Sequence, residues 1–92
     1  MKLALTRQFV KEYGQLSTEE RRLCDAALES LPAAFGRPHS HTGLDVRALR
    51  RGTYECRASL SVRIGFTRHE DTLLLQIVGN HDAMRAWLRN SL

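Results

Sequence analysis

The N-terminal third of the chain has apolar side chains at helical spacing. A short first strand is expected at residues 2–5. Apolar residues then recur every three or four positions, at Leu5, Phe9, Tyr13 and Leu16. Gly14 predicts the end of this helix, and Ser17 to Glu20 form a capping box that begins a second one. Pro32 is expected to end the second helix, so the two helices form an antiparallel hairpin.

From Leu44 onward the apolar period changes to two, which predicts strands. The inward-facing positions are Leu44, Val46, Ala48, Tyr54, Cys56, Ala58, Val62, Ile64 and Phe66. Such alternation is typical of an antiparallel sheet that covers helices with one face and leaves the other open. The open face is expected to carry Glu55, Arg57 and Arg63 within reach of one another.

The last strand and last helix complete the expected fold. Residues 73–78 are almost continuously apolar, which predicts an interior strand that is buried on both faces. Asp82 is the predicted N-cap of a short final helix whose Met84, Trp87 and Leu88 point inward. The prediction is one α+β domain over residues 1–92: an N-terminal helical hairpin on one face of a small antiparallel sheet, then a short C-terminal helix.

Positive charge is concentrated in the predicted sheet. The 92-residue chain has a formal charge of +4, but residues 47–68 hold six arginines against the single acid Glu55, a net +5. Arginine's planar fork suits phosphate oxygens, so the pattern favours a nucleic-acid partner over a membrane or a metal. The alternative is a solvated sheet face that only confers solubility.

Other classes of protein are disfavoured. The chain has no apolar run long enough to span a bilayer and no secretory signal, so a cytoplasmic protein without membrane contact is expected. Cys24 and Cys56 fall within apolar patterns and are interpreted as buried hydrophobes, with a catalytic thiol as the alternative. Because zinc and phosphate-loop motifs are missing, no metal and no cofactor is expected.

The arginines and histidines suit cleavage of a phosphodiester without a metal. A base would deprotonate a ribose 2′-OH, cations would hold the phosphate, and an acid would protonate the leaving 5′-oxygen. Histidine can fill either proton-transfer role. Each residue also has a structural interpretation: Arg57 and Arg63 pair with Glu55, His39 and His41 are loop residues, His81 bonds near Asp82, and Trp87 belongs to the core.

Three segments, in order, carry a family resemblance. They are Leu49 to Arg57 (LRRGTYECR), Val62 to Phe66 (VRIGF) and Val78 to His81 (VGNH). They are similar to the L-x-x-G-x-Y-E-x-R, Y-R-I-x-F and V-G-x-[HR] segments of the RelE/ParE superfamily of bacterial toxins. The resemblance covers nearly the whole chain and implies the RelE-like fold, with the RelE, YoeB and YafQ branch favoured.

The resemblance implies a role for each matching residue. Arg63 would contact the scissile phosphate, Arg57 would stabilise charge or transfer a proton, and His81 would be the general acid. His41 lies near a loop histidine of YafQ-like members, and Glu55, at a position that is lysine in RelE-like toxins, would be a base or an arginine partner. The expected RNA-binding residues are Arg47, Arg50, Arg51, Arg68 and Trp87.

The sequence also departs from the family pattern at two further positions. Val62 replaces the usual aromatic residue, and Trp87 lies near a functional tyrosine of RelE-like toxins, where it cannot act as an acid but could stack on a base.

The favoured function is that of a ribosome-dependent mRNA endoribonuclease whose partners are a cognate antitoxin, the ribosome and mRNA. The alternatives are a ParE-like inhibitor of DNA gyrase and a non-catalytic RNA- or antitoxin-binding module.

Overall fold

Three helices and five strands make up the part of the chain that is described. The computed structural model describes residues 1–36 and 45–90. The elements, in chain order, are β1 (Lys2–Leu5), α1 (Arg7–Gly14), α2 (Thr18–Gly36), β2 (Arg47–Arg50), β3 (Thr53–Arg57), β4 (Arg63–His69), β5 (Thr72–Gly79) and α3 (His81–Asn90). The predicted α+β class, with a helical hairpin before the sheet and a short helix after it, is confirmed.

The sheet is mixed, whereas an antiparallel one was predicted. Its strand order is β1-β5-β4-β3-β2. The last four strands form antiparallel pairs, but β1 runs parallel to β5, with Leu3 opposite Leu73. The two helices carry the chain from β1 to the far edge, and three reversals then bring β5 back beside β1 in the same direction. The predicted interior position of the last strand is confirmed, since β5 lies between β1 and β4, but its burial on both faces is incomplete because Leu74 and Gln76 are half-buried.

The helical hairpin covers one face of the sheet and forms the main core with it. The fully buried side chains include Phe9, Cys24, Leu31, Ile64, Phe66, Leu73 and Leu75. The predicted capping box is present: the Ser17 amide donates to Glu20 Oε1 at 2.8 Å, and the Glu20 amide donates to Ser17 Oγ at 3.1 Å. This exchange satisfies two amides that the first turn of α2 leaves without helical partners.

The prediction that Pro32 ends the second helix is wrong, because α2 continues to Gly36. Proline removes one backbone hydrogen bond and crowds the preceding turn. Packing of the last turn offsets that cost: Ala34 is buried, and the Phe35 ring lies 4.8 Å from the Tyr54 ring and 5.9 Å from the Phe66 ring, measured between centroids. Tertiary contacts therefore hold a turn that local propensity disfavours.

Helix α3 lies on the opposite face of the sheet, which was predicted to be open. Gly65 alternates with the inward-facing Ile64 and Phe66, and ring atoms of Trp87 lie against it. The predicted N-cap at Asp82 is also wrong, because the Asn80 side chain accepts the Ala83 amide at 2.9 Å. Asn80 is the residue before the first helical turn, where a side-chain oxygen best reaches a free amide. The sheet therefore has a helical layer on each face.

Candidate functional site

A buried carboxylate lies at the centre of the α3 face of the sheet. Glu55 on β3 is only 4% exposed. Its Oε1 accepts from Arg47 Nη2 on β2 at 2.7 Å and from Arg63 Nη1 on β4 at 3.1 Å. A buried carboxylate costs several kcal/mol unless it is paired, so two arginines around one oxygen explain how Glu55 can be charged there. We call Arg47, Glu55 and Arg63 the Glu55 cluster.

Two arginines face each other at one end of this sheet face. Arg57 and Arg63 are direct cross-strand partners, and like charges in that position repel. Arg57 Nη2 lies 3.6 Å from Asp45 Oδ2, which is largely exposed, so that pair is screened by solvent. Arg57 Nε is buried and has no hydrogen-bond acceptor among the described residues. Arg57 therefore has positive charge and a donor to offer an anion at this end of the sheet.

His81 follows the strand that ends beside this pair. Gly79 of β5 is opposite Arg63, and His81, two residues later, is the first residue of α3 and is exposed. A Cβ added at Gly79 would lie 2.9 Å from the Ala83 Cβ, so glycine lets the helix turn back closely over the strand. The structure thus brings Arg57, Arg63 and His81 to the same end of the sheet.

Trp87 packs on the sheet beside the Glu55 cluster. Its Cζ3 atom is 2.5 Å from the point that a Gly65 Cβ would occupy, and Gly65 is the cross-strand partner of Glu55. The indole is half-buried, so it forms part of the packing while it borders the candidate site. Gly65 was not recognised from the sequence as part of the site. A glycine at an outward-facing strand position, which often marks a close approach, was the available signal.

The other predicted RNA-binding arginines are spread along the sheet. Arg50 is opposite Thr53, and Arg51 lies in the following turn, at the end of the sheet away from Arg57. The Arg68 guanidinium is 5.5 Å from the centre of the Phe35 ring, and its Nε donates to the Glu70 carbonyl at 3.0 Å. Since Phe35 belongs to α2, Arg68 lies on the hairpin side and is separate from the Glu55 cluster.

The remaining candidates are two histidines that the structure does not describe and two buried cysteines. His39 and His41 lie outside the described residues. Burial raises the pKa of Cys24 to about 11 and that of Cys56 to about 12, which disfavours the reactive thiolate and supports their interpretation as buried hydrophobes. In residues 1–36 and 45–90, no three histidine, cysteine or acidic side chains are grouped so that they could hold a metal ion. Nor does any helix in these ranges have the length and apolar character to cross a membrane.

Comparison with solved structures identifies the architecture. The RelB–RelE complex of Methanococcus jannaschii matches with a TM-score of 0.69 at 16% identity, over 91% of this chain and 96% of the matched chain. The chain has the RelE-like toxin fold. A copper-bound mutant toxin of Helicobacter pylori has a similar structure. Its TM-score is 0.67 at 18% identity, over 91% of this chain and 98% of the matched chain.

A third solved structure with a similar fold is a YoeB/ParE toxin of Agrobacterium tumefaciens. Its TM-score is 0.63 at 17% identity, over 88% of this chain and 99% of the other. No protein-family model matches the sequence, and comparison with curated proteins finds no significant match. The likeness is therefore one of structure, and the RelE-like fold expected from the three sequence segments is confirmed.

Proposed function

We propose that the protein is the toxin of a type II toxin–antitoxin pair in the RelE/ParE superfamily, and that it cleaves mRNA on the ribosome. The observation that carries this proposal is the Arg57–Arg63 cross-strand pair at the end of the sheet where His81 follows β5. Two cations and a proton-transfer group at one edge suit an RNA phosphate. The RelE-like fold supports the same function.

The proposed reaction is an attack of the ribose 2′-oxygen on the adjacent phosphorus. A general base, for which Glu55 is the candidate, takes the 2′-OH proton while the new O–P bond forms, and Arg63 and Arg57 stabilise the charge that develops on the phosphoryl oxygens. The bond to the 5′-oxygen then breaks, and His81 donates a proton to that oxygen. The products are a 2′,3′-cyclic phosphate on the upstream fragment and a 5′-hydroxyl on the downstream one, without a metal ion. His41 stays a candidate for a second proton-transfer group.

A cognate antitoxin is the proposed protein partner. The RelE proteins of Methanococcus jannaschii and Pyrococcus horikoshii were solved in complex with RelB, and the YafQ protein of E. coli with DinJ. We expect a small, partly acidic protein that covers the basic face, since opposite charge speeds association and favours the correct partner. The other proposed partners are the ribosome and mRNA, and the proposed location is the cytoplasm.

Primer extension on a reporter mRNA in a bacterial translation extract tests the catalytic assignment. The protein should cut at fixed positions within translated codons. Arg63→Ala should lower the rate about 10²–10³-fold, as loss of a transition-state donor does, and His81→Ala about 10²–10⁴-fold, as loss of a general acid does. Arg85→Ala removes an exposed positive charge from α3 and should cut normally. Full cleavage by both site variants would remove the assignment.

One observation favours a second function, binding without cleavage. Both contacts of the Glu55 cluster go to Oε1, so the carboxylate already has the arrangement of a structural ion pair. In that case the arginine face would bind gyrase, as in the ParE branch, or RNA alone. Intact mRNA together with inhibition of DNA supercoiling in a gyrase assay would establish the ParE-like function instead.

A further inference from the structure

Strand β5 contains one extra residue just before the candidate site. Ile77 is paired with Gly65 and Leu75 with Phe66, so no β4 residue lies opposite Gln76 in the register, although the Gln76 side chain donates to Thr67 Oγ1. Such a bulge bends the strand and changes the direction of the residues that follow. Those residues are Gly79, opposite Arg63, and His81. The position of the bulge therefore affects where His81 lies relative to the arginine pair.

Helix α1 and its N-cap residue Thr6 contact β5 at the bulge and just after it. Thr6 Oγ1 shares its hydrogen between the Leu75 carbonyl at 3.0 Å and the Gln76 carbonyl at 3.3 Å. After the bulge, the Val78 amide donates to Glu12 Oε1 at 3.2 Å, although the two residues are 66 positions apart. The other carboxylate oxygen, Oε2, accepts from Gln8 Nε2 at 2.9 Å. Glu12 thus supplies an acceptor for a β5 amide beyond the end of β1, whose pairing with β5 stops at Leu75.

We propose that Glu12 is a positioning residue for the site, which acts by holding the end of β5 so that His81 faces the Arg57–Arg63 pair. The inference rests on the proposed function for its catalytic meaning, while the contact itself does not depend on catalysis. Val78 is one residue before Gly79 and three before His81, so a displacement of the Val78 backbone would also displace His81, the proposed acid. A misplacement of about 1 Å can lower a rate by about 10²-fold.

Nuclear magnetic resonance tests the contact independently of any RNA cleavage. The Val78 amide proton is hydrogen-bonded to Glu12 in the wild-type protein, so its resonance should move in Glu12→Ala. The His81 ring resonances should also move in Glu12→Ala but not in Glu29→Ala, which removes an exposed carboxylate from α2. An unmoved Val78 amide resonance or unmoved His81 resonances in Glu12→Ala would overturn the proposal.

Cleavage kinetics test the link to His81. Glu12→Ala should lower kcat about 10- to 100-fold with little change in KM, and Glu12→Gln should retain most activity because its amide oxygen still accepts a hydrogen bond. In a His81→Ala background, Glu12→Ala should lower the remaining rate less than about threefold, since residues that act as a unit are not additive. Equal losses in both backgrounds would overturn the positioning role.

The two experiments separate failure of the inference from failure of the proposed function. A wild-type protein that cuts no RNA would contradict the proposed function, and the resonance experiment would then decide alone whether Glu12 holds the end of β5. An active wild type with full activity in Glu12→Ala would contradict the inference and leave the proposed function intact. The Glu29→Ala control excludes a general effect of losing a negative charge from the hairpin.

Discussion

Replacing Gly65 by alanine should destabilise the protein because the site has no room for a methyl group. The added Cβ would lie 2.5 Å from Trp87 Cζ3 and 2.7 Å from Ile77 Cγ2. Carbon atoms in proteins pack best at about 3.5–4.0 Å, so the indole would have to move by about 1 Å. Neither side chain can move away easily, since Trp87 packs between α3 and the sheet and Ile77 is buried.

The size of the effect follows from two opposing contributions. Overpacking a core by one methyl group typically costs about 1–3 kcal/mol, and two close contacts place this site in the upper half of that range. Replacing a strand glycine by alanine raises the free energy of unfolding by about 0.5–1 kcal/mol, because alanine loses less backbone entropy than glycine on folding. The expected net loss is therefore about 1–2.5 kcal/mol, which for a domain of this size lowers Tm by roughly 4–20 °C.

Urea denaturation monitored by fluorescence measures this loss directly. Trp87 is the only tryptophan in the sequence, so its emission reports on the altered contact as well as on unfolding. The matched control is Gly14→Ala, at the end of α1, where an added Cβ meets nothing within 4 Å. That variant should keep or slightly raise stability. Equal midpoints for Gly65→Ala and wild type would refute the argument that Trp87 needs this glycine.

Two further predictions concern pH dependence and helix capping. Burial raises the pKa of Cys24 to about 11 and that of Cys56 to about 12, whereas an unfolded thiol has a pKa of about 8.5. As the pH rises, the unfolded chain therefore releases these protons before the folded protein does. The free energy of unfolding measured by urea denaturation should fall between about pH 8.5 and 11. If both thiols are replaced by alanine and that fall is unchanged, the cysteines are not its cause. Ser17→Ala should lower the free energy of unfolding by about 1 kcal/mol because the Glu20 amide loses its acceptor. An unaltered denaturation midpoint would contradict the capping role.

The elements that follow from local patterns were predicted well. The Ser17–Glu20 capping box depends on neighbours in sequence, and it is present. The alternation that places Ile64 and Phe66 inward and Arg63 outward is confirmed as well. These features could be predicted because the side-chain period and the capping chemistry are local properties.

The features that were missed depend on contacts between distant residues. Continuation of α2 beyond Pro32 requires Tyr54 and Phe66, which belong to strands far along the chain. In the same way, the cover that α3 gives to the sheet depends on the slot that Gly65 leaves for Trp87. The arginine pair was expected on one face, but the burial of Glu55 between two strands could not follow from alternation alone.

The parallel pairing of β1 with β5 has a consequence for the time at which the protein can complete its fold. Leu3 has its strand partner in Leu73, so β1 cannot pair until the distant strand β5 has been synthesised. Pairing between such distant segments is slow compared with local contacts. Helix α3, with His81 at its start, emerges later still. The Arg57–Arg63 pair and His81 can therefore come together only after β5 has been synthesised and has paired with β4, so the candidate site forms later than the helical hairpin.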